Sequence, residues 1–381
     1  MNVAFIGCGY VADIYARTLA NYAELDLAVV HDKNPQRAEA FSKMYDVPTA
    51  PTLDAVLDDS RIDMVVNLTN PSSHYEISKR ALEAKKHVYS EKPLATDFEQ
   101  AVKLVDLARR QGKLIAGAPC THLGEAAQTF GKALREGRIG KPRLVYAELD
   151  DGPIHMLDYK NWRSESGAPW PYLDEFNVGC TLEHAGYYVS QLVAFFGPAK
   201  SVTSFASLVV DDKGIEETPT TPDFSVGCIE FSSGVVARLT CSIYAPHDHA
   251  LRVFGDEGIL ALKECWDFGS SVGFYPRNRV ALKAEKHLAI AHRIGVGMLP
   301  VPLVRKVDFG FKVKGANRMD MARGIAEVAE AVTQNRGCRI SADFSLHVNE
   351  IVLSLQNPKA MGVQRKLVST CHRPAPMDWA G

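Results

Sequence analysis

Apolar positions along the chain recur with two alternating periods. Asn2 to Ile6 is a short apolar run that passes through Gly7 and Gly9, after which Asp13 to Ala20 places apolar residues at helical spacing. A second run, Leu25 to Val30, ends at His31-Asp32. The alternation continues. Helical patterns cover 35–45, 53–57, 73–84 and 98–111, with Gly112 as the stop, and strand-like runs cover 62–68, 87–90 and 113–117. Strands that alternate with helices, without hairpin signals, predict right-handed crossovers and a doubly wound parallel sheet over residues 1–120.

Beyond residue 120 the texture changes. A helix over 123–136 stops at Gly137, a strand covers 144–149, and a connection rich in Trp, Pro and Gly runs over 151–177. The next helix, 180–196, is closed by Gly197-Pro198. Strand-like runs at 201–210, 224–231, 235–243, 250–254 and 259–262 are joined mostly by short turns, which predicts a largely antiparallel sheet. Helices over 319–334 and 344–355 close the pattern. The expected fold class is α/β: an N-terminal doubly wound domain, 1–120, and a C-terminal α/β domain, 121–381, with an open, mostly antiparallel sheet. Within it, 263–318 carries eleven Lys or Arg against four acids. That basic block reads either as a solvated surface loop or as an insertion over the substrate or at a subunit contact, where its cations meet a phosphate or carboxylate.

Composition narrows the function classes. With 46% hydrophobic residues, 381 residues suffice for two cores. A formal net charge of −2 gives no global electrostatic case for nucleic acid or an anionic membrane as partner. Eight cysteines are scattered without C-x-x-C or other metal-ligand pairing, so reduced thiols, a cytoplasmic location and no metal are expected. The first strand starts at residue 2, with no signal-peptide pattern before it. The apolar stretch 288–304 is broken by His292, Arg293, Pro300 and Pro302, so no membrane span is expected.

The chemistry begins in the loop Gly7-Cys-Gly9-Tyr10-Val11-Ala12. Gly7 lets the chain turn, Gly9 lets backbone N–H groups approach a pyrophosphate, and the small Ala12 lets the helix pack closely on the strand. Asp32 stands where a ribose diol needs an acceptor. It favours NAD, because a 2′-phosphate would face a carboxylate, while Lys33 beside it leaves NADP open. The competing reading is a glycine turn in some other α/β protein. Further on, Ser90-Glu91-Lys92-Pro93 follows a strand. Ligands of open α/β sheets bind beyond the carboxyl ends of the strands, which puts Lys92 on the cofactor side, able to hydrogen-bond a substrate hydroxyl or tune a neighbouring acid. The plainer reading is a surface lysine before a turn proline.

These motifs occur together with Asn67-Leu-Thr69-Asn70-Pro71-Ser-Ser-His74 and Gly137-Arg-Ile-Gly140, and the combination resembles the family of glucose-fructose oxidoreductase, inositol dehydrogenase and rhizopine catabolism proteins. The resemblance is strong over the first 145 or so residues and looser beyond. It implies a Rossmann domain paired with an α/β domain whose sheet often forms the dimer contact, hence a homodimer or homotetramer. It implies that Lys92 touches nicotinamide and substrate, and that Thr69, Asn70, His74 and Glu91 lie at the cofactor; Asn70 replaces the family's common proline. The family's Asp and His, four residues apart on the helix that opens the second domain, fall on Glu183 and Tyr187, and some members use tyrosine there. Residues four apart share a helical face, so both can address one hydroxyl. His184 lies about 100° from Glu183 and about 60° from Tyr187 around a helix, and it is a rival acid/base. Arg163 resembles the Trp-Arg that precedes this helix in relatives, and His122 falls where many place an arginine. His155, Trp162, Trp170 and Tyr172 either stack on a sugar face or pack as a lid. The expected activity is NAD(P)-dependent oxidation or reduction of a CH–OH group in a sugar, cyclitol or sugar derivative, and the basic block leans toward an anionic or nucleotide-linked substrate. Two alternatives stand beside it: a glycoside hydrolase or epimerase that recycles a bound NAD, and a non-catalytic NAD(P)-binding sensor.

Overall fold

The computed structural model describes residues 1–216, 219–277, 298–307 and 318–381. Its first sheet is built from β1 (Asn2–Ile6), β2 (Asp26–His31), β3 (Met64–Asn67), β4 (His87–Ser90) and β5 (Ile115–Gly117), all parallel and in the order β2-β1-β3-β4-β5. All four residues of β3 are buried, as expected of a strand covered on both faces. The helices between them are α1 (Ala12–Leu19), α2 (Pro35–Tyr45), α3 (Leu53–Leu57), α4 (His74–Glu83) and α5 (Phe98–Gln111). Local chemistry starts and stops them: Asn34 caps α2 by accepting from Gln36 N at 3.0 Å, Asp97 caps α5, and Gly112 ends α5 at φ +62°.

The second sheet has nine strands, β6 (Pro142–Asp150), β7 (Ala199–Ser207), β8 (Phe224–Phe231), β9 (Val236–Ser242), β10 (Leu251–Gly255), β11 (Gly258–Leu262), β12 (Val272–Pro276), β13 (Leu299–Val301) and β14 (Gln364–Lys366), in the order β13-β12-β11-β10-β6-β9-β8-β7-β14. Its pairs are antiparallel except β6 with β9, so the antiparallel expectation holds with one exception. β12 and β13 were absent from the sequence reading. They fall in the basic block, whose described residues extend the sheet instead of forming only a loop. Residues 278–297 and 308–317, with six of its eleven cations, lie outside the described residues.

Between the sheets run α6 (Glu125–Arg135), α7 (Tyr172–Val178), α8 (Cys180–His184) and α9 (Gly186–Phe196). The single helix expected over 180–196 is divided at Ala185, whose φ of −54° and ψ of −31° remain helical, so Glu183 and Tyr187 keep nearly the same outlook. The last two long helices, Arg323–Thr333 and Ala342–Gln356, return to the first sheet. Ala322 N donates to Thr18 Oγ1 at 3.0 Å, Gly117 N donates to Ser345 Oγ at 2.9 Å, and Asn349 Nδ2 donates to Ala95 O at 3.1 Å. Gly324 lies so close to Tyr89 that a Cβ there would clash. One hydrophobic core therefore joins β1, β3 and β4 to the second sheet, and a smaller one fills the outer face of the first.

Candidate active site

The chain leaves β1 in opposite directions to reach β2 and β3, which opens a crevice at the carboxyl ends of β1 and β3. Gly7 makes the turn at φ +100°, with its N–H on His31 O at 2.8 Å; a Cβ there would stand 2.6 Å from Leu68 O. A Cβ on Gly9 would meet nothing within 4 Å, so the loop presents bare backbone to the crevice, and Tyr10 and Val11 beside it are half-buried. Ala12 is fully buried. Asp32 accepts from Cys8 N and Asn34 N, each at 2.8 Å, which pins its carboxylate beside the glycine loop with lone pairs to spare; Lys33 is exposed. This donor set fits a dinucleotide: backbone for phosphate, carboxylate for a ribose diol.

The opposite bank is held by side chains. Asn67 Oδ1 accepts from Thr69 Oγ1 at 2.7 Å, and Asn67 Nδ2 donates to His74 O at 3.1 Å. His74 is buried, with Nδ1 2.7 Å from Pro93 O and Nε2 2.8 Å from Thr69 O. It ties the Thr69 loop to the segment after Lys92. Burial pushes its pKa down, against the two carbonyls that favour a protonated ring. Glu91 is a brace as well, accepting from Tyr15 Oη at 2.5 Å and from Lys92 N at 3.0 Å.

The ammonium of Lys92 is ion-paired with Glu183. Burial opposes its charge, yet the surrounding carboxylates, Glu183 foremost, hold it well above the ordinary lysine value, so it stays cationic at neutral pH. Glu175, on α7, hydrogen-bonds Glu183; burial first, and the Glu183 charge second, push its carboxyl well above the usual range. It therefore keeps its proton and donates it to Glu183. Tyr187 is buried with its ring edge-on to Trp266 at 5.4 Å; burial raises its phenol, while Lys92 acts in the opposite direction. His184 faces the other way: its Nε2 lies 2.9 Å from Asp151 Oδ2, and its Nδ1 is enclosed without a hydrogen bond among the described residues.

The remaining candidates sit elsewhere. His122 is buried against Phe344 at 4.9 Å, and neither of its ring nitrogens is hydrogen-bonded among the described residues. Arg163 is exposed and donates to the carbonyls of Lys160 and Trp162, both at 2.8 Å, bracing its own turn. Trp170, Tyr172 and Phe176 pack around Tyr159, with Trp162 on Trp170, and His155 stacks on Tyr244. The connection carrying these aromatics is a strap between the domains. Ser166 N and Oγ donate to the two oxygens of Asp13 at 3.2 and 2.8 Å, Arg17 pairs with Glu165 at 3.0 Å, and Asn70 Nδ2 donates to Asp174 Oδ2 at 2.6 Å. It is thus anchored on both banks of the crevice. The sequence reading missed Glu175, Asp174 and Asp151. Pro171 ahead of Tyr172-Leu-Asp-Glu is a helix-start signal that marks α7, whereas nothing local marks Asp151.

Residues 1–117 match the oxidoreductase family described as having an NAD-binding Rossmann fold, and residues 127–261 match the GFO/IDH/MocA C-terminal domain. The chain belongs to the GFO/IDH/MocA family. It is an oxidoreductase with an NAD-binding Rossmann domain. A trans-1,2-dihydrobenzene-1,2-diol dehydrogenase from Oryctolagus cuniculus is 24% identical over 279 residues, 72% of this chain and 79% of the relative. An inositol 2-dehydrogenase from Acidothermus cellulolyticus is 28% identical over 180 residues, 42% of this chain and 53% of the relative. An uncharacterised oxidoreductase from Schizosaccharomyces pombe is 27% identical over 210 residues, and the match spans 54% of each chain. Among solved structures, an NAD-binding oxidoreductase from Klebsiella pneumoniae superposes with a TM-score of 0.77 at 19% identity, covering 97% of this chain and 99% of that one. No helix among the described residues is long and apolar enough to cross a membrane.

Proposed function

We propose that this protein transfers hydride between NAD and a CH–OH group of a sugar, cyclitol or related ring polyol. The observation that carries the reading is the Lys92 ammonium, kept charged and paired with Glu183, beyond the carboxyl end of β4 with Tyr187 one helical turn past Glu183. The relatives named for a dihydrodiol and for inositol act on ring alcohols, which supports a vicinal diol as the substrate unit.

NAD supplies the hydride acceptor or donor, and Gly7, Gly9 and Asp32 would hold it. The chain's own groups handle the hydroxyl. Lys92 donates a hydrogen bond to the carbinol oxygen and stabilises negative charge that develops there. Because its ammonium does not titrate near neutrality, proton transfer falls to Tyr187, whose phenol burial raises and keeps protonated while the Lys92 ammonium partly offsets that rise. Glu183, hydrogen-bonded by the protonated Glu175, fixes the Lys92 side chain. The test measures NADH absorbance with NAD or NADP against free, acidic and nucleotide-linked polyols. Lys92→Met is expected to lower kcat by about a thousandfold while NAD affinity changes only a few fold; full activity in that variant overturns the assignment.

The strap favours a second reading. Because this segment is anchored on both banks of the crevice, a cofactor bound beneath it would exchange slowly, as a hydrolase or epimerase that recycles its NAD requires. That enzyme purifies with bound cofactor and accumulates no NADH during turnover.

A further inference from the structure

Outside the Lys92 centre, a second group of ligand-type side chains gathers at one end of the nine-stranded sheet. Asp151 follows β6, His247 and His249 precede β10, and Glu264 follows β11. One carboxylate oxygen of Asp151 and one ring nitrogen each of His247 and His249 all lie within 4.8 Å of one another. We propose that Asp151, His247 and His249 bind a divalent transition-metal cation of the zinc class.

Two imidazoles and one carboxylate suit zinc and its neighbours, whereas magnesium and calcium demand oxygen donors. The surroundings are those of a ligand set that is held in place. His249 is fully buried, with Nε2 2.9 Å from Asp151 Oδ1, and its Nδ1 lies 2.8 Å from Glu264 Oε1. The ring can therefore carry its hydrogen toward Glu264 and offer Nε2 to a cation, the carboxylate–histidine–metal arrangement. Glu264 Oε2 also lies 3.1 Å from Nε2 of His247, and the two imidazole rings are 4.1 Å apart. Asp151 Oδ2 lies 2.9 Å from His184 Nε2. Access differs among the three donors in a useful way: His249 is buried and the Asp151 side chain is 7% exposed, while the His247 side chain is 56% exposed and leaves an open side for the cation to enter and for a water or ligand oxygen to complete its coordination. A second trio, His249, Glu264 and Cys265, is also close enough, but Cys265 is buried and that trio lacks a comparably open side. Through His184 the proposed site abuts the helix that carries Glu183.

Chelator-treated full-length protein titrated calorimetrically with zinc chloride should take up one equivalent. Cobalt(II) in its place should give the visible absorption of a four- or five-coordinate N/O site. His247→Ala, a change on the surface, and Glu264→Gln, a change behind the ligands, should each weaken uptake at least about tenfold. NADH binding measured on the same samples reports whether each variant is folded. No saturable uptake by the wild-type chain, or uptake that both variants leave unchanged, overturns the proposal and leaves these residues as an ion-pair network only.

Discussion

At the scale of single residues, charge decides who can do what. Lys92 is held cationic, and Tyr187, a phenol kept protonated by burial, is the neighbouring group to which we assign the proton transfer, so Tyr187→Phe should lower kcat by about a hundredfold or more with a smaller effect on KM, measured by steady-state kinetics on the substrate that the polyol panel identifies. Buried histidines make a different demand. Desolvation pushes His122 from an ordinary 6.5 down to about 4, with Glu327 opposing that push. The folded chain therefore resists a proton that the unfolded chain accepts below 6.5. Above that pH the two states bind protons alike. As pH falls from 6.5 toward 4, stability drops, by up to about 1.4 kcal/mol per pH unit for this one group. His122→Phe, which fits beside Phe344, should flatten the decline in Tm between pH 7 and pH 5; an unchanged slope would show that His122 is not responsible.

At the scale of elements, α7 and the strap ahead of it do what no isolated motif announces. Compositional reading assigned 151–177 to a connection, because its Trp, Pro and Gly content lacks a clean period. In the fold, three short helical segments interrupt it, its aromatics pack on Tyr159, and its tip reaches α1. Ser166 contributes a hydrogen bond to the buried carboxylate of Asp13, worth about 1.5 kcal/mol. Ser166→Ala should thus accelerate NADH release by about tenfold in stopped-flow fluorescence, with the rate of hydride transfer little changed. The glycine loop, by contrast, was legible in advance: the φ of +100° at Gly7 and its contact with Leu68 O are what a strand that turns sharply into a helix requires.

At the scale of the molecule, one hydrophobic core joins elements of both sheets. Arg323 sits where the two domains meet, paired with Glu125 at 3.0 Å and with Asp320 at 3.3 Å, and it donates to Tyr22 Oη. Removing its charge leaves, among the described residues, buried Asp320 with the Tyr22 hydroxyl and no cation, and Glu125 with Arg305 alone. Arg323→Met should cost about 3 kcal/mol in urea unfolding, and because the late helices pack on both sheets, one cooperative transition is expected. Two transitions, or an unaltered midpoint, would argue that the domains are stabilised separately.

The sequence alone determined what short-range order can encode: strand–helix alternation, the sharp turn at Gly7 and Gly9, and the carboxylate at Asp32, whereas Glu183 and Tyr187 were singled out only through the family resemblance. Each depends on residues within one or two elements, where period and backbone freedom are local properties. Tertiary structure decided the rest. It set Glu175 against Glu183, Asp151 between His184 and His249, His74 between Thr69 and Pro93, and the last helices across the first sheet. These groups come from distant parts of the chain, and only close packing in a water-poor interior turns their proximity into shifted proton affinities and fixed geometry.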